Sequence, residues 1–268
     1  MKLPIALLPA LSLALAFALY LPLPAAGAQL ARLPRALHAR LARALTYRKK
    51  TPDPRLTLGL LLLLILAAGA FAGALPTLLQ AVLCAPALGA IALLPPSAAV
   101  KRELDSGVLA HDTAAYEARV RGTCAALAPS FVSDGTAPLL LCALGAPLGL
   151  SVALVWAYAA LRALCGEDAL ALRIVTLLLR PADAVLRTLL LLCTPLAGRS
   201  PFRITGRRAR ERLMSILGLA DDGTQDHSPV AGDVTQGVFL CCLCLVLLCV
   251  IEGLALLTFA GQPLIKLR

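Results

Sequence analysis

The chain has 268 residues, of which 59% are hydrophobic and 15% charged, with a mean hydropathy of +0.84 and a net charge of +10. A soluble domain carries about 45–50% apolar and about 25% charged residues, so this composition excludes a soluble globular fold. Aromatic residues make up only 4% and do not alternate with the basic ones, which argues against nucleic acid as the partner that the charge serves.

The apolar residues fall in blocks of membrane-spanning length. In chain order these are Leu3 to Leu23, Leu56 to Leu75, Thr77 to Leu94, Ala137 to Leu161, Pro181 to Ala197 and Val238 to Ala260. A bilayer core of about 30 Å needs about 20 apolar residues as helix. The first, second, fourth and sixth blocks meet that, whereas the third and fifth are short enough to be re-entrant or tilted pieces. None alternates in polarity as a β-barrel strand would, and backbone groups in lipid must be satisfied within the segment, so helix is the predicted form. The expected fold class is all-α: a polytopic membrane bundle of five or six helices with accompanying amphipathic helices, over residues 1–268 as a single integral membrane domain.

Charge orients the bundle. The first block resembles a signal peptide, with Lys2 ahead of it and Ala26-Gly27-Ala28 as a cleavage-like site. The stretch after it carries Arg32, Arg35, Arg40, Arg43, Arg48, Lys49, Lys50 and Arg55 against a single Asp53. Eight cations beside a membrane helix are expected to stay cytoplasmic, which favours an uncleaved first helix. Segments 24–55, 97–136 and 198–236 are then expected on the cytoplasmic side, in a cell (inner, cytoplasmic) membrane. The excess positive charge faces the lipid bilayer's anionic headgroups.

Nine cysteines do not make a framework. Cys84, Cys142, Cys193, Cys241, Cys242, Cys244 and Cys249 lie in apolar blocks, where a thiol acts as a small hydrophobe. Cys241 and Cys244 form a CxxC, but no second ligand pair accompanies it and no histidine is spaced near it.

Three polar segments are candidates for function. Within 29–55, Leu33, Leu37, Leu41 and Leu45 recur every four residues with Arg32, Arg35 and Arg43 on the other side, which predicts an amphipathic surface helix. Segment 97–136 is charged and helix-compatible up to Arg121. Ser133-Asp134-Gly135-Thr136 then stands just ahead of the fourth block, where Asp134 reads either as an N-cap or as a carboxylate for metal or substrate. Segment 198–236 holds the cluster Arg199, Arg203, Arg207, Arg208, Arg210 and Arg212, and then His227-Ser228-Pro229. Arginines beside a membrane either bind phosphates or fix topology. No Gly-rich Walker-type loop is present. Inside the apolar blocks stand Glu252 and the pair Asp183 and Arg187, spaced to meet on one helix face. Such groups suggest a small transporter.

The stretch Ser133-Asp134-Gly135-Thr136-Ala137-Pro138-Leu139, followed by Leu144-Gly145-Ala146-Pro147, resembles the central motif of the CobD/CbiB family of cobalamin-biosynthesis membrane proteins. Arg180-Pro181-Ala182-Asp183-Ala184-Val185 resembles that family's Arg-x-Asp-Asp-Val element. His227-Ser228-Pro229-Val230-Ala231-Gly232 is similar to its His-x-Ser-Pro-Asn-Ala-Gly element. The resemblance implies an adenosylcobinamide-phosphate synthase: an ATP-consuming ligase that joins a corrinoid carboxylate to aminopropanol or its phosphate. It further implies Asp134 as catalytic and Mg²⁺-holding. Gly135, Asp183, Arg207, Arg208, His227 and Ser228 would contact substrate, with ATP and a corrinoid as ligands. This chain departs from the family in lacking its Gly-Asp-Pro and His-Pro-Val elements, and Ser130-Phe131 stands where Glu-Asn is expected. Tyr158-Ala159-Ala160-Leu161-Arg162-Ala163 and Asp183-Ala184-Val185-Leu186 resemble the AmpE-like branch of the same superfamily, which implies a non-catalytic sensor or scaffold with protein partners or a homo-oligomer.

Overall fold

The computed structural model describes residues 4–20, 32–46, 53–88, 94–106, 112–201, 204–219 and 228–261. Among these residues the regular structure is entirely helical. The helices are α1 (Leu8–Tyr20), α2 (Leu33–Leu45), α3 (Pro54–Ala72), α4 (Thr77–Cys84), α5 (Leu94–Asp105), α6 (Thr113–Phe131), α7 (Ala137–Gly145), α8 (Ser151–Leu164), α9 (Ala169–Cys193), α10 (Ala209–Ile216) and α11 (Ala231–Gly261). Among the described residues three helical runs are long and apolar enough to cross a membrane: Pro54–Ala72, Thr113–Leu148 and Ala231–Thr258. Ile5–Ala18, Thr77–Ala87 and Ser151–Leu164 are shorter apolar helices. The first block's remaining residues, 21–23, lie outside the described residues.

The chain divides into two compact units. The first comprises residues 1–89, 137–178 and 249–268. Within it α3 and α7 both pack on α8, α1 packs on α4, and α2 lies against α3 and α8. Leu8, Ala81, Cys84, Cys142, Val155 and Leu256 form its core. The α3–α8 contact depends on absent side chains. A Cβ at Gly69 would stand 2.6 Å from the Cβ of Ala153, and one at Gly73 would stand 2.8 Å from the carbonyl carbon of Gly149. Gly69 and Gly73 are four apart, as are Gly149 and Ala153, so small residues one turn apart let the two backbones touch. The turn after α3 is closed by Gln80, a buried amide in an apolar helix. Its side-chain nitrogen donates to the carbonyls of Gly73 (2.9 Å) and Leu75 (2.8 Å), which α3 leaves without helical partners. The Trp156 indole N–H donates to the Leu83 carbonyl at 2.8 Å.

Two sequence boundaries change. The fourth block does not form one helix over Ala137 to Leu161. α7 ends at Gly145, Ala146-Pro147-Leu148 form a 3-10 turn, and Gly149 at φ +67° reverses the chain into α8. Only glycine takes that left-handed conformation without strain. The fifth block begins earlier than Pro181: α9 starts at Ala169 and carries Pro181 inside it.

The second unit comprises residues 90–136 and 179–248. The segment 97–136, expected to be helix-compatible up to Arg121, is α5 followed by α6. Beyond Arg121 its charges end until Asp134, with Ala125, Ala126, Leu127 and Ala128 in succession, and it continues through a π-helical turn, Val132–Thr136, into α7. Asp112 caps α6 by accepting from the Ala115 N–H at 2.9 Å. Arg119 of α6 pairs with Glu103 of α5 at 3.1 Å. α10 packs on α6. The start of α11 is fixed by Asp233, which accepts from the Val230 N–H (2.9 Å), and by the Tyr116 hydroxyl, which accepts from the Ala231 N–H (3.0 Å).

α3 and α11 expose much apolar surface. Leu56, Leu60, Leu63, Leu64, Leu66 and Phe71 of α3 are exposed, as are Phe239, Val246, Val250, Ile251, Leu254 and Leu257 of α11. Exposed apolar area of that extent marks a surface that meets something other than water. The most apolar window of α3 is 22% buried and that of Thr113–Leu148 is 61% buried.

Candidate functional site

Asp134 is not an N-cap. It stands inside a continuous helical run, on the π turn Val132–Thr136, half-buried between buried Ser133 and buried Gly135. A π turn inserts a residue into the ladder and recurs at functional sites, because it re-aims side chains and frees backbone groups. The Ser133 hydroxyl donates to the Ser130 carbonyl at 3.2 Å, and the buried Thr136 hydroxyl has no hydrogen-bond partner among the described residues. Ser130 also belongs to the wall of a cavity of about 340 Å³ against α5 and α6, which Ser97, Arg119, Gly122 and Thr123 line as well. Arg119, Thr123, Ser130 and Asp134 are spaced by four, seven and four residues, which is one helical stripe. The cavity was not foreseen from the sequence, although this spacing is readable there.

The second polar centre joins α9 to the N-terminus of α10. The Asp183 carboxylate accepts from the Ala209 N–H at 3.1 Å. Arg187 donates to the Arg207 carbonyl at 2.7 Å, and Arg212 donates to the carbonyls of Arg187 and Gly206, each at 3.3 Å. Glu211 reaches back to the backbone N–H groups of Arg207 (2.7 Å) and Arg208 (3.4 Å). These bonds, the Arg207 one foremost, hold the Glu211 carboxyl below its ordinary value of 4.5 against the opposing effect of burial, with the Arg207 and Arg208 charges adding to the shift. Asp183 and Arg187 share a face as their spacing predicts, but they do not pair with each other. Each finds a backbone partner at α10 instead, which satisfies amides and carbonyls that helix ends leave bare. The side chains of Arg207, Arg208 and Arg210 remain exposed on the outside of this clasp.

The chain matches no protein-family model, no curated protein and no solved structure.

Of the site residues expected from sequence, Asp183, Arg207 and Arg208 come together in the clasp. Asp134 and Gly135 stand on the π turn, Ser228 is exposed just ahead of α11, and His227 lies outside the described residues. Among the described residues no three His, Cys, Asp or Glu side chains converge to hold a metal.

Proposed function

We propose that the chain is a multi-span helical protein of the cell membrane, of CobD/CbiB-like character, which binds an anionic corrinoid precursor and joins its carboxylate to aminopropanol or its phosphate. The five- or six-span arrangement of the sequence reading belongs to the same proposal, with the shorter apolar helices as the additional crossings. The observation that carries it is the placement of Asp134: an acidic side chain on a π turn, at the end of a polar stripe whose upper part lines a cavity. In the implied reaction ATP activates the corrinoid carboxylate and the amine displaces the activating group to leave an amide. Asp134 would hold Mg²⁺, and the exposed arginines of the clasp would neutralise phosphate oxygens. The test is rescue of a bacterial strain that lacks this amidation step. The wild-type chain restores corrinoid amide formation, Asp134→Ala abolishes it, and both accumulate equally in the membrane. Failure of a well-expressed wild-type chain to rescue removes the catalytic reading.

A second reading, an AmpE-like sensor or scaffold, is favoured by the clasp. There Asp183 and Glu211 are occupied by backbone groups and act as structure. It predicts co-purification of a partner protein that is indifferent to Asp134→Ala.

A further inference from the structure

Between Gln236 and Gln262 the sequence holds one charged side chain, Glu252. The middle of that stretch is position 249, so Glu252 sits about 4.5 Å from its centre along the helix. It is 6% exposed, and both carboxyl oxygens are buried without a hydrogen-bond partner among the described residues. Leu256, one turn further on, belongs to the core formed with Ala6, Leu8, Cys84, Cys142 and Val155. A Cβ at Gly253 would stand 3.2 Å from the Ala6 carbonyl oxygen, so the N-terminal turn abuts α11 at this level.

The titratable groups that face Glu252 are thiols: Cys249 on α11 itself and Cys142 on α7, with Cys84 of α4 beside Cys142. Ser12 of α1, within reach of Cys142, donates its hydroxyl to the Leu8 carbonyl at 2.8 Å. Among the described residues no lysine, arginine or histidine pairs with Glu252. A carboxylate here would be a buried charge with no counter-charge and no donor, which low-dielectric surroundings do not tolerate. The neutral acid fits the same space without that penalty. Ionisable groups inside membrane helices are costly enough that they mark ion or proton sites.

We propose that Glu252 is a proton-binding site inside the membrane-spanning part of α11, which keeps its proton while the surrounding helices are packed and exchanges it when they open to water. This does not depend on the corrinoid reading, since Glu252 and Asp134 stand on different elements and the tests are separate.

The experiment is carbodiimide labelling of the full chain in liposomes, read by mass spectrometry of the peptide that carries Glu252. A protonated carboxylic acid adds across the C=N bond of dicyclohexylcarbodiimide, the acid proton going to nitrogen, and the adduct rearranges to a stable N-acylurea. The expected result is strong labelling by this lipid-soluble reagent, little by a water-soluble carbodiimide, and loss of the label in Glu252→Gln. Difference infrared spectra of wild type against Glu252→Gln give a second readout, with loss of the protonated-acid C=O band expected. The variant amide is a neutral isostere, so its fold is checked by unchanged Trp156 emission. Equal labelling by both reagents, or a carboxylate band in place of the acid band, overturns the proposal.

Discussion

Replacing Gly69 with alanine adds one methyl group at the point where α3 and α8 touch backbone to backbone. That methyl would stand 2.6 Å from both the Cβ and the backbone nitrogen of Ala153 and closer still to its Cα, whereas carbon atoms rest at about 3.5–4.0 Å. The helices must therefore part locally by roughly 1 Å, a gap that forfeits about a quarter to a half of each pairwise attraction across the contact. Overpacking of this kind costs about 1–3 kcal/mol. Gly59, in the same helix, supplies the control, because a Cβ there meets nothing within 4 Å. Gly59→Ala is expected to be neutral, or stabilising by up to about 1 kcal/mol through helix propensity. The two substitutions are chemically identical, so the difference between them isolates the contact. A gap of about 1–3 kcal/mol changes the folding equilibrium roughly 5- to 150-fold. The assay is denaturation in mixed micelles with increasing SDS fraction, followed through Trp156, the chain's one tryptophan, which sits on α8. Ala153→Gly in the Gly69→Ala background should not recover the loss, because the Cα and backbone nitrogen of residue 153 crowd the added methyl as closely as the side chain does. If Gly69→Ala proves as stable as Gly59→Ala, the close approach of α3 and α8 is wrong.

Further predictions concern single polar groups. Asp183→Ala removes the acceptor of the Ala209 N–H and should destabilise the α9–α10 clasp by about 0.5–2 kcal/mol, seen as faster tryptic cleavage after Arg207 and Arg208. Glu211 should make the clasp acid-sensitive. Its folded carboxyl titrates below the ordinary 4.5, so its stabilising contribution is present above that value and is lost as pH falls through the folded value. Hydrogen exchange over residues 207–213, corrected for intrinsic rates, should rise in that acid window, and Glu211→Gln should remove the pH dependence. Gln80→Leu leaves the Gly73 and Leu75 carbonyls without their donor and should cost about 1–3 kcal/mol in the Trp156 assay.

The helices with the plainest signals were legible in the sequence. The block Leu56 to Leu75 became α3, Pro54–Ala72, and Val238 to Ala260 became the core of α11. The four-residue leucine spacing of α2 predicted its span, and that helix lies on α3 and α8 with Arg35 donating to the Ala163 carbonyl at 2.8 Å. The fourth block was misread for a physical reason. Proline and glycine are tolerated inside membrane helices, so Pro147 and Gly149 within an unbroken apolar run do not by themselves announce a reversal. What decides it is the φ +67° at Gly149 together with the packing of α7 back on α8, and neither has a local sequence signature.

The polar residues follow the same rule more sharply. Spacing placed Asp183 and Arg187 on one face, and that part held. Their partners could not be read locally, because the bare end of α10 lies more than twenty residues away and competes for both groups. A helix end offers unsatisfied amides and carbonyls, whereas an exposed ion pair four residues apart is worth only a few tenths of a kcal/mol. The backbone therefore wins. At Asp134 the competition ran the other way. Asp-Gly is a turn signal and Asp a good cap, yet the chain keeps its helical hydrogen bonding through the motif by widening one turn. In an apolar setting a broken helix would leave amides and carbonyls bare at several kcal/mol each, whereas a π turn leaves one residue's pairing displaced. The same physics that hides Asp134 from a capping rule makes it a better site candidate: the helix keeps an acidic side chain at a widened turn, next along the stripe from a cavity wall.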